Sequence, residues 1–193
     1  EKYTLYNDEF MGKGAYSQVY RGRTESGRLV AVKTACKTAS NKADVDAMCT
    51  EIDILKKLKG AANIVQYFGS NHTKMPPGSV TIETISFAME CASRSLDAEM
   101  RRPENHRGLP SNALIDLVVD CSMALSALRE HNIAHRDIKH MNILLFPGTP
   151  TRGRRSTHLF KLCDMGCSKA ISENSSHEMN TIAGTPNFLH PFL

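Results

Sequence analysis

The apolar residues change their period near Ser93, and that change constrains the fold more than any other feature of the chain. Before it, short β-branched runs recur between turn residues. "TLYNDEFMG" and "SQVYRGR" flank "KGAY", and "GRLVAVKTA" follows a Ser-Gly turn. "NIVQYFGS" and "SVTIETISFAME" are separated by the turn at Pro76 to Gly78. One helix interrupts them: in "DVDAMCTEIDILKKLKG", Met48, Ile52 and Leu55 stand at i, i+4 and i+7, and Gly60 supplies the stop. After Ser93, "SNALIDLVVDCSMALSALREHN" has helical spacing. It predicts a long helix with Ser111 as N-cap and Leu114, Leu117, Val118, Cys121, Leu125 and Leu128 on its buried face. "MNILLF" and "HLFKLCD" predict two short strands, and "PGTPTRGRRST" between them reads as a mobile, solvated loop. Strands followed by helices predict an α+β chain of two lobes. Residues 1–92 form a β-rich lobe with one main helix, and residues 93–193 a mainly helical lobe with a small hairpin.

Composition excludes several classes. The 24 Lys and Arg against 20 Asp and Glu leave a net charge of +4, too mild to point to nucleic acid. No run reaches the roughly 18 uninterrupted apolar residues of a membrane helix, because Asp116 and Asp120 break the best candidate. The start, "EKYTLYNDEF", has no signal-peptide pattern. The six cysteines form no C-x-x-C pair, so reduced thiols in a cytoplasmic protein without membrane partners are expected. His131 and His135 have the spacing of a helical zinc pair, but the Glu of H-E-x-x-H is missing and zinc is disfavoured.

Four motifs carry chemistry, and each has a bland alternative. In "HRDIKHMN", Asp137, Lys139 and Asn142 stand at i, i+2 and i+5 before the apolar run "ILLF". They make either a polar turn or a set of side chains around a phosphate. "GKGAYSQV" lies between two strands and is either a hairpin turn or a loop whose N–H groups approach phosphate oxygens. Lys33 ends "VAVK", where burial is costly without a partner. Glu51 is available on the helix, and a snorkelling surface lysine is the alternative. Asp164 closes "KLCD" before Met165-Gly166, a natural Mg²⁺ ligand or a strand-ending turn.

Taken in order, a Gly-rich β-turn, V-A-x-K, a helix Glu, H-R-D-x-K-x-x-N and D-x-G resemble the protein kinases. The resemblance implies a bilobal kinase-like fold that uses ATP and Mg²⁺. It makes Asp137 the acceptor of the substrate hydroxyl proton and gives Lys139 the charge on the transferring phosphoryl group. Asn142 and Asp164 would hold Mg²⁺, and Lys33, braced by Glu51, would grip the α- and β-phosphates. Met11, Gly12, Lys13, Gly14, Ala15, Tyr16, Ser17, Gln18 and Val19 would cover the nucleotide. Met89 would be the gatekeeper, with adenine held by the backbones of Glu90 and Ala92 and sandwiched by Val19, Ala31 and Leu144.

"EIDILKKL", "GLP", "LREHNIAHRDIK", "FKLCD" and "GTPNFLHP" further resemble the inhibitor-of-κB-kinase-related kinases, of the epsilon and TANK-binding type. Lys139 with Thr185 resembles the Ser/Thr class. The partners implied are ATP and proteins bearing Ser or Thr acceptors, with self-association or an activating kinase left open. Thr181 is the expected activating phosphosite, with Ser175 and Ser176 as rivals. The chain departs from the family's pattern at Ser17 (third loop Gly), His140 (a Pro), Met165 (the Phe of D-F-G) and Phe192 (an acid). It lacks an initiating Met and the family's later helices, so a piece of a longer kinase is expected, weak in ATP–Mg²⁺ binding and poor in turnover as given. A catalytically inactive, ATP-binding scaffold is the alternative.

Overall fold

A strand buried on both faces can serve two layers at once, and "LVAVKTACK" is such a strand, with Val30, Ala31 and Val32 buried in succession. In a computed structural model of the chain, the described residues are 1–13, 17–37, 42–74, 83–148, 153–171 and 184–185. They fall into two units, Glu1–Lys59 with Gln66–Cys91, and Gly60–Val65 with Ala92–Leu193.

The first unit is a curled antiparallel sheet with one helix. Its elements are β1 (Tyr3–Lys13), β2 (Gln18–Thr24), β3 (Leu29–Lys37), α1 (Lys42–Lys57), β4 (Tyr67–Lys74) and β5 (Glu83–Glu90), and the strands lie in the order β1-β2-β3-β5-β4. Register shifts between Leu5, Phe10 and Gly12 bend β1 against β2. Val30 and Val32 of β3 are fully buried with Ala88 and packed against Tyr3, Leu5 and Phe68. The alternate residues Ala31 and Ala35 are also buried, and α1 packs on β3 and β5 through Val45, Met48, Ile52 and Leu55. Lys56 and Lys57 favour the negative end of this helix. Gly60 then takes φ +82°, a conformation that costs glycine nothing.

The second unit contains β6 (Arg94–Ser95), α2 (Leu96–Met100), α3 (Ser111–Glu130), β7 (Ile133–Ala134), β8 (Ile143–Pro147), β9 (His158–Leu162) and β10 (Lys169–Ala170). Sheets form in the orders β6-β8-β9 and β10-β7. The expected hairpin is β8 with β9, and its Ile143 pairs with Leu162. On the far side of β9, Leu162 N donates to Asn63 O (2.8 Å) and Val65 N to Leu162 O (3.0 Å).

Three expectations are corrected here. Pro110, not Ser111, is the N-cap of α3. Its φ of −55° and ψ of 143° are the angles a proline ring favours, and its carbonyl accepts Leu114 N at 2.9 Å. The buried face of α3 is Ala113, Asp116, Asp120, Ala124, Ala127 and Leu128, whereas Leu114, Val118 and Leu125 are 49%, 59% and 46% exposed. Small alanines allow β9 a close approach, and the two carboxylates are turned inward by donors. Nor is the whole of "PGTPTRGRRST" a solvated loop. Arg154 forks onto Asp120 at 2.9 and 2.7 Å, and Phe160 N donates to the same carboxylate at 2.8 Å. Asp116 accepts Arg155 N (3.0 Å), Ser156 N (2.7 Å) and Ser156 Oγ (2.7 Å). By length and composition α3 could cross a membrane, but its Asp116 and Asp120 face this loop and β9.

Breaking such a buried pair strands the partner charge. Asp120→Ala should therefore cost about 3–5 kcal/mol, and an Asp120→Leu/Arg154→Met double variant clearly less. Urea-unfolding midpoints of the three proteins check this.

Candidate active site

In the first unit the register brings several of the expected residues to one face. Gly12 opposes Val19 and Val19 opposes Lys33, while Ala31 opposes Met89. Directly opposed residues share a face, and the period of two along β3 adds Ala31 to Lys33. Lys33 Nζ lies 3.0 and 2.8 Å from the two oxygens of Glu51 on α1, with both side chains largely buried. That decides between the pair and the snorkelling lysine. A Cβ on Gly12 would meet nothing, and its φ is ordinary, so no contact among the described residues demands glycine there. Met11 and Lys13 are exposed on β1, Ser17 and Gln18 lead into β2, and Gly14, Ala15 and Tyr16 lie outside the described residues. Glu90 ends β5, its N–H donating to Gln66 O at 3.0 Å and its carboxylate accepting Gln66 N at 3.1 Å. Ala92 and Leu144 belong to the second unit, Leu144 on β8 opposite Ser95 and Lys161.

In the second unit the segment between β7 and β8 is organised around one carboxylate. Asp137 is 7% exposed. Its Oδ2 accepts Lys139 Nζ (2.7 Å) and Asn142 Nδ2 (3.0 Å), and its Oδ1 accepts Thr185 N (2.9 Å) and Thr185 Oγ1 (2.7 Å). Lys139 Nζ also donates to Thr185 Oγ1 at 2.6 Å. Burial pushes the Asp137 carboxyl up, but the Lys139 ammonium and the Thr185 donors outweigh it and hold the group below the usual carboxylate range. Asp137 is therefore ionised at neutral pH.

Two strained residues flank this cluster. Arg136 has φ +67° and Asp164 φ +63°, a region that costs a residue with a Cβ about 1–3 kcal/mol. Arg136 is held by a 2.7 Å bond from Nε to Cys167 O. Asp164 follows Cys163, whose N–H donates to Asn142 O at 2.9 Å, so the D-x-G turn is tied to the Asn142 backbone. Asn142 Nδ2 also donates to Asp137 O at 2.9 Å, which orients the amide and leaves Oδ1 as its acceptor. With the Asp164 carboxylate, that oxygen suits a hard cation that keeps its waters. Among the described residues no three His, Cys, Asp or Glu side chains cluster as a metal cage.

His135 is 3% exposed, its Nε2–H donating to Cys163 O (3.0 Å) while Nδ1 accepts Asp137 N–H (3.2 Å). His131 bonds elsewhere, to Ala127 O at 2.8 Å. Met165 is fully buried, with Ser168 Oγ 3.5 Å from its sulfur. Thr181 lies outside the described residues. Sequence reasoning treated Thr185 only as a class marker and gave His135 no role beside Asp137. The "GTP" motif was the available signal for the first, and the leading His of H-R-D-x-K-x-x-N for the second.

A model of the protein kinase domain matches residues 5–193. The chain belongs to the protein kinase family. This kinase domain is 85% identical over 193 residues to the inhibitor of nuclear factor kappa-B kinase epsilon subunit homolog 1 of Caenorhabditis elegans, covering 100% of the chain and 23% of that protein. It is 32% identical over 192 residues to the mouse inhibitor of nuclear factor kappa-B kinase subunit epsilon, covering 98% and 24%. Human mitogen-activated protein kinase kinase kinase 19 is 31% identical over 193 residues, with 95% and 13% covered. The chain thus spans about a quarter, or less, of the length of these relatives.

Burial holds the His135 imidazole of the kinase domain below its ordinary value of 6.5. The unfolded chain then takes up this proton first, so stability is whole above about pH 6.5 and is lost as pH falls through that value toward the folded one. Urea midpoints should drop between about pH 7.5 and pH 5. The drop should be shallower in His135→Gln, which carries no titrating ring.

Proposed function

We propose that this domain is a Ser/Thr protein kinase of the IKK-epsilon-related type, transferring the γ-phosphoryl group of ATP to protein hydroxyls. The observation that carries the proposal is a Thr hydroxyl donating to Asp137 Oδ1 at 2.7 Å while Lys139 and Asn142 occupy Oδ2. A carboxylate so placed can orient an acceptor hydroxyl and take its proton. Because its pKa is depressed, it works by orientation and late proton acceptance rather than as a strong base. Lys139 meets the charge of the phosphoryl group, and Lys33, held by Glu51, grips the nucleotide phosphates. Asn142 and Asp164 are the residues that would hold Mg²⁺, which when bound neutralises phosphate charge. The branch assignment rests on the 85% identity to a protein named as an IKK epsilon homolog. An inactive ATP-binding scaffold is the competing reading, and the presence of Lys33, Glu51, Asp137, Asn142 and Asp164 together argues against it.

In the full-length protein, Asp137→Asn should lower peptide phosphorylation by about 10²–10⁴-fold with ATP binding retained. Phosphorylation persisting at the wild-type rate, or wild-type protein that binds ATP without transfer, would sink the proposal. Thr181 is the proposed activating phosphosite, since a phosphate brings about −1.5 to −2 charge that an arginine such as Arg136 can pair. Thr181→Ala should abolish activation. Loss in a Ser175/Ser176 double variant with Thr181→Ala active would move the site.

A further inference from the structure

His140 stands between two residues that touch the Asp137 carboxylate, yet its own side chain reaches the other way. It opens the 3₁₀ turn His140–Asn142, preceded by Lys139 in an extended conformation (φ −152°, ψ 163°) and closed by Asn142 N donating to Lys139 O at 2.9 Å. Its Nε2 lies 3.2 Å from Asp97 Oδ1 on α2. Asp97 is itself aimed by Arg101, whose Nε and Nη2 donate to its two oxygens at 2.9 and 3.0 Å. Arg101, followed by the His140 charge when present, holds this carboxyl below its usual range.

The first position of such a turn, after an extended residue, is one that a proline ring would pre-set by fixing φ near −65°. Histidine has no such restraint, so the backbone angle here must be held from outside the turn. We propose that Asp97 is a positioning residue, which through His140 fixes the turn that sets Lys139 and Asn142 on the carboxylate of Asp137. The contact needs only an Nε2–H donor and works whether or not the ring is charged. Its catalytic consequence rests on the kinase reading, but its structural consequence does not.

The test uses the full-length protein with Asp97→Ala, His140→Ala, the pair combined, Arg101→Ala, and His140→Pro in the Asp97→Ala background. Asp97→Ala and His140→Ala should each lower kcat for peptide phosphorylation by about 10-fold, since small displacements of reacting groups are costly, with KM for ATP near wild type. The double variant should lose no more than either single one. His140→Pro should restore turnover, and Arg101→Ala, which removes the group that aims Asp97, should lose no more than Asp97→Ala. Hydrogen exchange over residues 139–142 should quicken in Asp97→Ala and slow again with His140→Pro. That last pair of results supports the strut even if wild-type protein transfers no phosphate, in which case only the kinase reading falls. Unchanged exchange in Asp97→Ala overturns the strut, and so does exchange that stays fast after His140→Pro.

Discussion

Asp137 places a negative charge where little water reaches it, and a buried carboxylate is tolerable only when donors surround it. Four donors do so here, from Lys139, Asn142 and both the N–H and O–H of Thr185. Much of the second unit can be understood from that requirement. Asn142 must sit in a short 3₁₀ turn to return its amide to Asp137, and His135 must remain neutral to accept the Asp137 N–H. The same His135 bonds the carbonyl of Cys163, so the residue preceding Asp164 is fixed from the Asp137 side. One charge thereby orders two segments that are far apart in the chain.

Helix α3 meets the same requirement in another way. Asp116 and Asp120 lie one turn apart on its inner face, and the backbone of residues 155–160 with the Arg154 guanidinium supplies their donors. The result clasps β9 between α3 on one side and the 63–65 segment on the other. Since β9 runs directly into Cys163 and Asp164, the acids of α3 help set where the D-x-G turn begins. Leucines that a hydrophobic count would place inside are left on the outer face.

In the first unit, the Lys33–Glu51 pair has the same character. Both side chains are largely removed from water, and each would be costly there without the other. The sheet register places Lys33 on the face shared by Gly12, Val19, Ala31 and Met89, so a lysine in an apolar strand becomes part of an organised surface rather than a local irregularity.

What was legible in the sequence was mostly what is local. Strand and helix periods, the i, i+2 and i+5 spacing of Asp137, Lys139 and Asn142, and the Glu51 position on α1 depend on backbone geometry over a few residues. The order of the motifs also sufficed to point to the protein kinase family. Tertiary structure alone decided which stripe of α3 is buried, which carboxylate Arg154 serves 34 residues away, and how Thr185 reaches Asp137 across 48 residues. The physical reason is that an apolar period specifies a helix but not its partner. Carboxylates on one face of a helix can outweigh leucines on another once donors from a distant segment arrive. Such donors have no local pattern, because what fixes them is the cost of leaving a buried charge unpaired.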